Sequence, residues 1–182
     1  MYPQETPSND EAPVNLFTAA NVAEILRERD WLAMEISAEQ GAWCARAAAL
    51  LGPHAVDRAA LDELLSLIFH YDAREVLARE ESHVILSRYA ARDVLRQLAL
   101  QLLDDAPLTS ERFSEIVTLL KNTLDVRGRE LFHPLRLAVA GRSGEGDLDR
   151  VILLLDEAAK LPFRVAVKSA RERILEFCSV LD

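Results

Sequence analysis

The sequence predicts an all-α fold of about eight helices packed as a helical bundle. Half of the residues are hydrophobic and 28% are charged, which is typical of a folded globular chain. From residue 14 onward, apolar residues recur every three or four positions along most of the chain, which is the helical period. The alternation of apolar and polar residues that marks a half-buried strand is absent.

The first predicted elements follow a proline-rich start. Residues 1–13 contain three prolines among polar residues and are predicted to form a loose tail. Thr18 is placed to cap a helical stretch that continues, with a predicted break at Gly41, to Leu51. Gly52-Pro53 is a strong stop signal. The apolar residues assigned to this stretch include Val22, Ile25, Leu26, Trp31, Met34 and Trp43.

Three further helices are predicted in the middle of the chain. Asp57 is placed to cap a helix whose apolar residues recur at i, i+3, i+4 and i+7. A short helix is expected at residues 73–79, and the longest one at residues 82–103. The apolar stripe of this longest helix includes Tyr89, which is therefore predicted to be buried.

The next two helices have recognisable ends. Thr109 or Ser110 is placed to cap a helix after the Ala106-Pro107 stop. Pro134 suits the first turn of a short helix, because proline lacks the amide hydrogen that this turn does not use. Gly141 suits the position just after its C-terminus.

The last two helices are expected to start after Asp147, as a cap, and at Pro162. A chain of 182 residues suits one domain or two small subdomains that share a core. We place an acidic N-terminal helical subdomain at residues 14–80 and a second helical subdomain at residues 81–182.

The net charge of −9 is unevenly distributed. Residues 1–120 hold 10 basic and 20 acidic side chains, whereas residues 121–182 hold 11 basic and 10 acidic ones. A polyanion is therefore expected to meet the C-terminal third of the chain. The two cysteines are far apart in sequence, and no apolar run is long enough to span a bilayer, so a cytoplasmic protein without a membrane anchor is expected.

Two basic islands stand out in the C-terminal third. Residues 121–142 carry a local charge of +3 and residues 160–173 a local charge of +4. In the second island, Arg164, Lys168 and Arg171 are spaced i, i+4, i+7, which predicts one basic helix face. Such a face can bind phosphates, but it can equally be a solvated surface or the partner of acidic neighbours.

One segment resembles a known family. Residues 126–155 read VRGRELFHPLRLAVAGRSGEGDLDRVILLL. This resembles the anticodon-binding domain near the C-terminus of bacterial glutamyl-tRNA synthetases, in which a Pro-Leu-Arg helix is followed by a turn, a glycine-containing loop and another helix. The similarity extends over about residues 82–158. Ala140 departs from the family pattern, which has threonine there.

The resemblance implies binding to the anticodon arm of a tRNA. The arginine of the Pro-Leu-Arg helix lies near the anticodon bases in that family, so Arg136 is the first candidate, although a structural role at a helix junction is also open. Arginine suits this task because its planar fork pairs with phosphate or base edges. The candidate RNA-binding residues are Arg136, Arg142, Arg129, Arg127, Lys121, Arg164, Lys168 and Arg171.

The same sequence argues against catalysis. Neither of the ATP-binding signatures of the synthetases is present, and no nucleophile–base pair or cofactor motif is visible, so we expect no enzyme activity and no cofactor. The four histidines lack the spacing of a zinc site. An alternative function is a protein-interaction scaffold derived from the same domain, which would bind a protein partner through the acidic N-terminal half without binding RNA.

Overall fold

The computed structural model describes residues 14–182, so the tail predicted at residues 1–13 lies outside the described residues. All regular structure in the described part is helical, which confirms the all-α prediction. Residues 14–182 contain ten α-helices and one 3-10 turn at Gly52–His54. The helices are α1 Ala19–Glu28, α2 Ala38–Leu51, α3 Arg58–Phe69, α4 Ala73–Leu77, α5 Glu80–Leu86, α6 Ala91–Gln101, α7 Ser110–Leu124, α8 Arg129–Ala140, α9 Asp147–Ala159 and α10 Ala170–Leu181.

The predicted caps at Thr18, Asp57 and Thr109 are confirmed. Thr18 and Asn21 form a capping box at α1. The Asp57 carboxylate accepts from the Ala60 amide at 2.8 Å, and the Thr109 hydroxyl accepts from the Arg112 amide at 3.2 Å. These side chains satisfy helix-start amides that have no partner within the helix. The predicted cap at Asp147 is wrong, because Asp147 is the first residue of α9 and Gly146 occupies the cap position without a side-chain hydrogen bond.

The predicted break at Gly41 is wrong, because Gly41 lies inside α2. The irregular segment comes earlier, between α1 and α2, where Met34 is exposed instead of continuing the apolar face. The Arg27 side chain holds this segment by donating to the carbonyls of Ala33 and Met34 at 3.3 and 3.0 Å. Ser37 then starts α2 with a capping box.

The long helix predicted at residues 82–103 is interrupted. It consists of α5 and α6, joined by residues 87–90. The Ser87 hydroxyl donates to the Val84 carbonyl at 2.7 Å, and the Arg88 amide donates to the Ile85 carbonyl, three residues earlier, at 3.2 Å. Such local bonds compete with the helical ladder. As a result Tyr89, predicted to be buried, is fully exposed.

Helix α8 begins earlier than predicted. It starts at Arg129, so Pro134 lies inside the helix and not in its first turn. The start is set by Gly128, whose backbone angles of φ 57° and ψ −133° belong to a region that is nearly exclusive to glycine. Gly141 ends the helix in the left-handed conformation at φ 87°, as predicted.

The last helix begins at Ala170, so the predicted start at Pro162 is wrong. Residues 160–169 form an irregular segment that is fixed by tertiary contacts. Phe163 packs into the core, and the Arg164 amide donates to the Trp31 carbonyl at 2.9 Å. Ser169 and Glu172 form the capping box that starts α10.

The buried apolar residues form one hydrophobic cluster, to which residues on both sides of the predicted subdomain boundary at 80/81 contribute. Trp43 is a central member, with its ring edge-on to Phe69 and Phe163 at centroid distances of 5.7 and 5.3 Å. Most of α8 from Pro134 onward is buried, which leaves the first half of that helix to face outward. None of the described helices combines the length and apolar character that a bilayer crossing requires.

Candidate nucleic-acid interface

Part of the first basic island gathers around one face of α8. Its residues at i, i+3, i+4 and i+7 are Arg129, Phe132, His133 and Arg136, and they therefore lie along one side of the helix. Arg129 is exposed, whereas Phe132 and His133 are half-buried. Side chains from neighbouring segments reach this face. We call this surface the α8 patch and define it as Arg88, Lys121, Arg129, Phe132, His133 and Arg136.

Arg136 is anchored within the protein. Its Nε and Nη2 donate to the two carboxylate oxygens of Asp149 at 2.8 and 2.9 Å, and its Nη1 donates to the Gly144 carbonyl at 2.7 Å. Its guanidinium carbon lies 4.6 Å from the ring centroid of Phe132. The side chain is nearly buried and ties α8 to α9 and to the turn between them. Direct contact between Arg136 and RNA stays a prediction.

His133 connects α8 with the link between α5 and α6. Its Nδ1 lies 2.9 Å from Nη1 of Arg88. Because the guanidinium can only donate, Nδ1 is the acceptor, and the neutral imidazole carries its hydrogen on Nε2. Burial lowers the pKa of His133, and the nearby positive charges of Arg88, Arg129 and Arg136 lower that pKa further. The electrostatic environment of His133 is therefore positive.

Protonation of His133 is expected to destabilise the fold. Since its pKa is lower in the folded chain than its ordinary value of about 6.5 in an unfolded one, the unfolded chain binds more protons between these two values. The free energy of unfolding should therefore fall as the pH drops from about 7 through this window. We expect His133→Gln to make this fall less steep in urea titrations between about pH 7 and pH 5.

His83→Gln is the control, because it removes an imidazole from an exposed position. A His133→Gln variant whose unfolding free energy keeps the full pH dependence of the parent would contradict the role assigned to the Arg88–His133 contact.

The other cations of the first island are more accessible. Lys121 is half-buried, and its Nζ lies 5.8 Å from the Phe132 ring centroid, on which the ammonium group exerts a cation–π attraction. Arg127 and Arg129 are exposed at the start of α8. Within residues 14–182, none of these three side chains pairs with a carboxylate. They are therefore available to an anionic ligand.

Arg142 lies at a different place on the surface. It lines an open depression of about 450 Å³ together with His54, the turn at residues 143–146 and the first two residues of α9. Glu145 and Asp147 line the same depression, so its charge is mixed. Arg142 is half-buried and forms no ion pair among the described residues.

The second basic island is largely neutralised. Arg164 pairs with Asp30, Lys168 with Glu176 at 2.9 Å and Arg171 with Asp105 at 2.6 Å. Arg164 and Lys168 precede α10 and lie in the irregular segment, so the predicted common helix face for these three residues is wrong. In the same island Arg173 is completely buried, and only Lys160 is exposed without an ion pair in the described part of the chain.

Other reactive groups do not form a site. Burial raises the pKa of the Cys44 thiol to about 11, which leaves it protonated at neutral pH. Within residues 14–182, no three His, Cys, Asp or Glu side chains converge as metal ligands would. Trp43 is buried and donates from its indole to the Leu154 carbonyl at 3.2 Å, so its polar atom is already satisfied.

Comparison with known proteins identifies the family. The family model described as "Anticodon binding domain" matches residues 19–159, which is most of the chain. This chain belongs to the anticodon binding domain family. The match includes α8 and every residue of the α8 patch. The resemblance that the Pro-Leu-Arg segment indicates is thus confirmed.

A curated relative agrees with the family. Over 79 residues the chain is 34% identical to "Glutamate--tRNA ligase 2" of Syntrophus aciditrophicus (strain SB). The aligned part is 43% of this chain and 16% of the relative, so the chain spans a small part of that protein's length. No solved structure matches the chain.

Sequence reasoning missed three members of the α8 patch in this anticodon binding domain. Phe132 and His133 directly precede Pro134, and their helical spacing from Arg129 and Arg136 was a usable signal. Arg88 gave no such signal, because it lies 45 residues from His133 in sequence and the two meet only through tertiary packing.

Proposed function

We propose that this chain is a non-catalytic tRNA-binding module that contacts the anticodon arm through the α8 patch. The observation that carries the proposal is that Lys121, Arg127 and Arg129, near the start of α8, form no ion pair among the described residues, in a chain of the anticodon binding domain family. Family membership supports anticodon binding in general, and the α8 patch is the surface that we assign to it.

The chemistry of the patch suits a folded RNA loop. Phosphates are bound by Lys and Arg side chains that have no competing carboxylate. Lys121 and Arg129 of the α8 patch and the adjacent Arg127 fit that description among the described residues. Unpaired bases are recognised by stacking and by hydrogen bonds to their edges, both of which an anticodon loop offers. The excess of acidic residues in the N-terminal part disfavours RNA binding on other surfaces of the chain. RNA is therefore directed to the α8 patch.

Binding of the purified chain to tRNA tests the proposal. Deacylated glutamate and glutamine tRNAs are compared with an unrelated tRNA at salt concentrations between about 0.05 and 0.2 M. Preferential binding with a modest salt dependence supports anticodon-arm recognition. An isolated anticodon stem-loop should compete for the same site.

Removing one exposed cation of the patch should weaken this binding. Arg129→Ala is expected to lower the affinity for all tRNAs and to reduce the slope of log Kd against log salt concentration by about one, because one phosphate contact is lost. The measurement is a salt titration of Kd for the parent and the variant.

Arg164→Ala is the matched control, since it removes the same side chain from the second island, where Asp30 pairs with it. Equal effects of the two changes would count against the α8 patch as the binding surface.

A protein-interaction scaffold is the second candidate. It is favoured by the 10 basic and 20 acidic residues in positions 1–120, a composition that suits a basic protein partner better than a nucleic acid. In that case no tRNA binds even at low salt, and the chain binds a synthetase or another protein through its acidic half. The tRNA experiment separates the two functions.

A further inference from the structure

Tyr89 is an aromatic side chain that the fold leaves uncovered. It lies in the link between α5 and α6 and has a relative exposure of 102%, so no described residue shields its ring. The link itself is well fixed. The Ala91 amide donates to the Arg88 carbonyl at 3.2 Å, and the Val94 amide donates to the Ala90 carbonyl at 2.9 Å. These bonds fix the backbone that carries the exposed ring.

Two arginines lie close to Tyr89 in the chain, although it belongs to the acidic part of the sequence. Arg88 directly precedes Tyr89 and Arg92 follows it by three residues, whereas the neighbouring Asp93 lies 3.9 Å from Arg96. Arg92 is exposed and forms no ion pair among the described residues. Arginine side chains close to an aromatic ring are a combination that single-stranded nucleic-acid sites use.

Tyr89 is also tied to the α8 patch. Arg88, its neighbour in the chain, holds its guanidinium 2.9 Å from Nδ1 of His133 on α8. Consecutive Cα atoms are about 3.8 Å apart, so the backbone of Tyr89 starts directly beside a member of the patch. The link between α5 and α6 thereby extends the α8 patch by one exposed aromatic residue.

We infer that Tyr89 is a stacking platform for an unpaired base of the RNA bound at the α8 patch. The inference rests on the proposed function and adds a contact outside the Pro-Leu-Arg segment. In this arrangement Arg88 and Arg92 attract the phosphates on either side of the stacked base, while the Arg88–His133 hydrogen bond fixes the link against α8. Stacking on a tyrosine ring accepts any base, so Tyr89 adds affinity and leaves selection among bases to other residues.

The two arginines near Tyr89 favour RNA over a basic protein as the occupant. The residues next to Tyr89 are Arg88 and the half-buried Ala90, and Arg92 follows three residues after Tyr89. Positive charge beside the ring costs affinity for a basic partner and adds affinity for a polyanion.

Substitution of Tyr89 tests the inference with a tRNA that binds the parent chain. Tyr89→Leu retains an apolar side chain but removes the π face, and should raise Kd by about 5- to 150-fold, the value of one stacked base. Tyr89→Trp retains a ring and should bind at least as tightly as the parent. The slope of log Kd against log salt concentration should stay unchanged in both variants, because no charge is removed.

A second readout reports the stacking itself. An anticodon stem-loop with 2-aminopurine at one loop position is mixed with parent and variant chains at saturating protein. Stacking on Tyr89 quenches the probe at one loop position, and Tyr89→Leu should remove that quenching. Because the ring is exposed, thermal unfolding of Tyr89→Leu should match that of the parent.

The outcomes separate the two proposals. If the parent binds tRNA and Tyr89→Leu binds equally well with the same probe fluorescence at every loop position, the stacking role is overturned and the proposed function stands. If the parent binds no tRNA at low salt, both proposals fail. A loss of affinity for Tyr89→Leu that Tyr89→Trp restores supports the platform.

Discussion

Replacing Arg173 by leucine is expected to lower the free energy of unfolding by about 3 kcal/mol or more. The side chain has no exposed surface, and no carboxylate among the described residues pairs with it. Its guanidinium donates to four backbone carbonyls, and a leucine would leave them without a partner in the protein interior. Those carbonyls belong to Lys168, Leu67, Ile68 and Val139, at 3.1, 2.9, 2.7 and 3.0 Å.

The position of these carbonyls explains the size of the expected effect. Leu67 and Ile68 lie in the last turn of α3, and Val139 lies in the last turn of α8, where helix carbonyls lack intrahelical partners. A cation at two helix C-termini also interacts favourably with both helix dipoles. The ring of Tyr71 lies 4.6 Å from the guanidinium carbon. Burial lowers the pKa of Arg173 to about 10, so it remains charged at neutral pH.

Urea unfolding of Arg173→Leu and of the parent measures the loss. Arg171→Leu is the matched control, because Arg171 is two residues away on the same helix but pairs at the surface with the largely exposed Asp105. Arg171→Leu should lower the free energy of unfolding by less than about 1 kcal/mol, as expected for the removal of a surface ion pair. Comparable losses of unfolding free energy for the two variants would show that the hydrogen bonds of Arg173 to the ends of α3 and α8 do not stabilise the fold as proposed.

Truncating Trp43 to alanine should be similarly costly, at about 3–5 kcal/mol. The indole is completely buried and packs edge-on against Phe69 and Phe163, which come from α3 and from the irregular segment before α10. Its Nε1 donates to the Leu154 carbonyl on α9. The change therefore opens a cavity where several segments meet and removes one buried hydrogen bond.

The loss is measured as the difference in free energy of unfolding between parent and variant. Trp31→Ala provides the comparison, since Trp31 stacks on Phe69 at a centroid distance of 4.8 Å but is only half-buried. It should cost clearly less than Trp43→Ala. The reverse order would show that the aromatic cluster is centred on the loop before α2 and not on Trp43.

Helix caps and glycine ends were predictable because they depend on a few adjacent residues. Asp57 and Thr109 cap α3 and α7 as their sequences indicate, and Gly141 ends α8 with the expected left-handed backbone. The errors concern irregular segments. Pro162 has a favourable sequence context for a helix start, yet contacts of Phe163 and of the Arg164 amide with distant residues hold residues 160–169 out of a helix.

The candidate site was predictable in part for the same reason. The Pro-Leu-Arg segment identifies α8, and the local charge count identifies the first basic island. The sequence does not reveal that Arg136 is already bound to Asp149 and Gly144, because its partners lie across a turn whose shape depends on packing. Nor does it reveal that the second island is neutralised, since Asp30 and Asp105 are remote from Arg164 and Arg171 in sequence.

The sequence by itself determined the helical class, the caps at Thr18, Asp57 and Thr109, and the family, because periodicity, capping chemistry and a contiguous motif are local properties of the chain. Only the tertiary structure decided which cations remain accessible and which are paired with carboxylates or buried within the protein. Arg88 contacts His133 across 45 residues of sequence, and Arg173 lies between two helix ends through contacts that span up to 106 residues. The electrostatics of the surface depend on such pairings, and they exist only once the helices have packed.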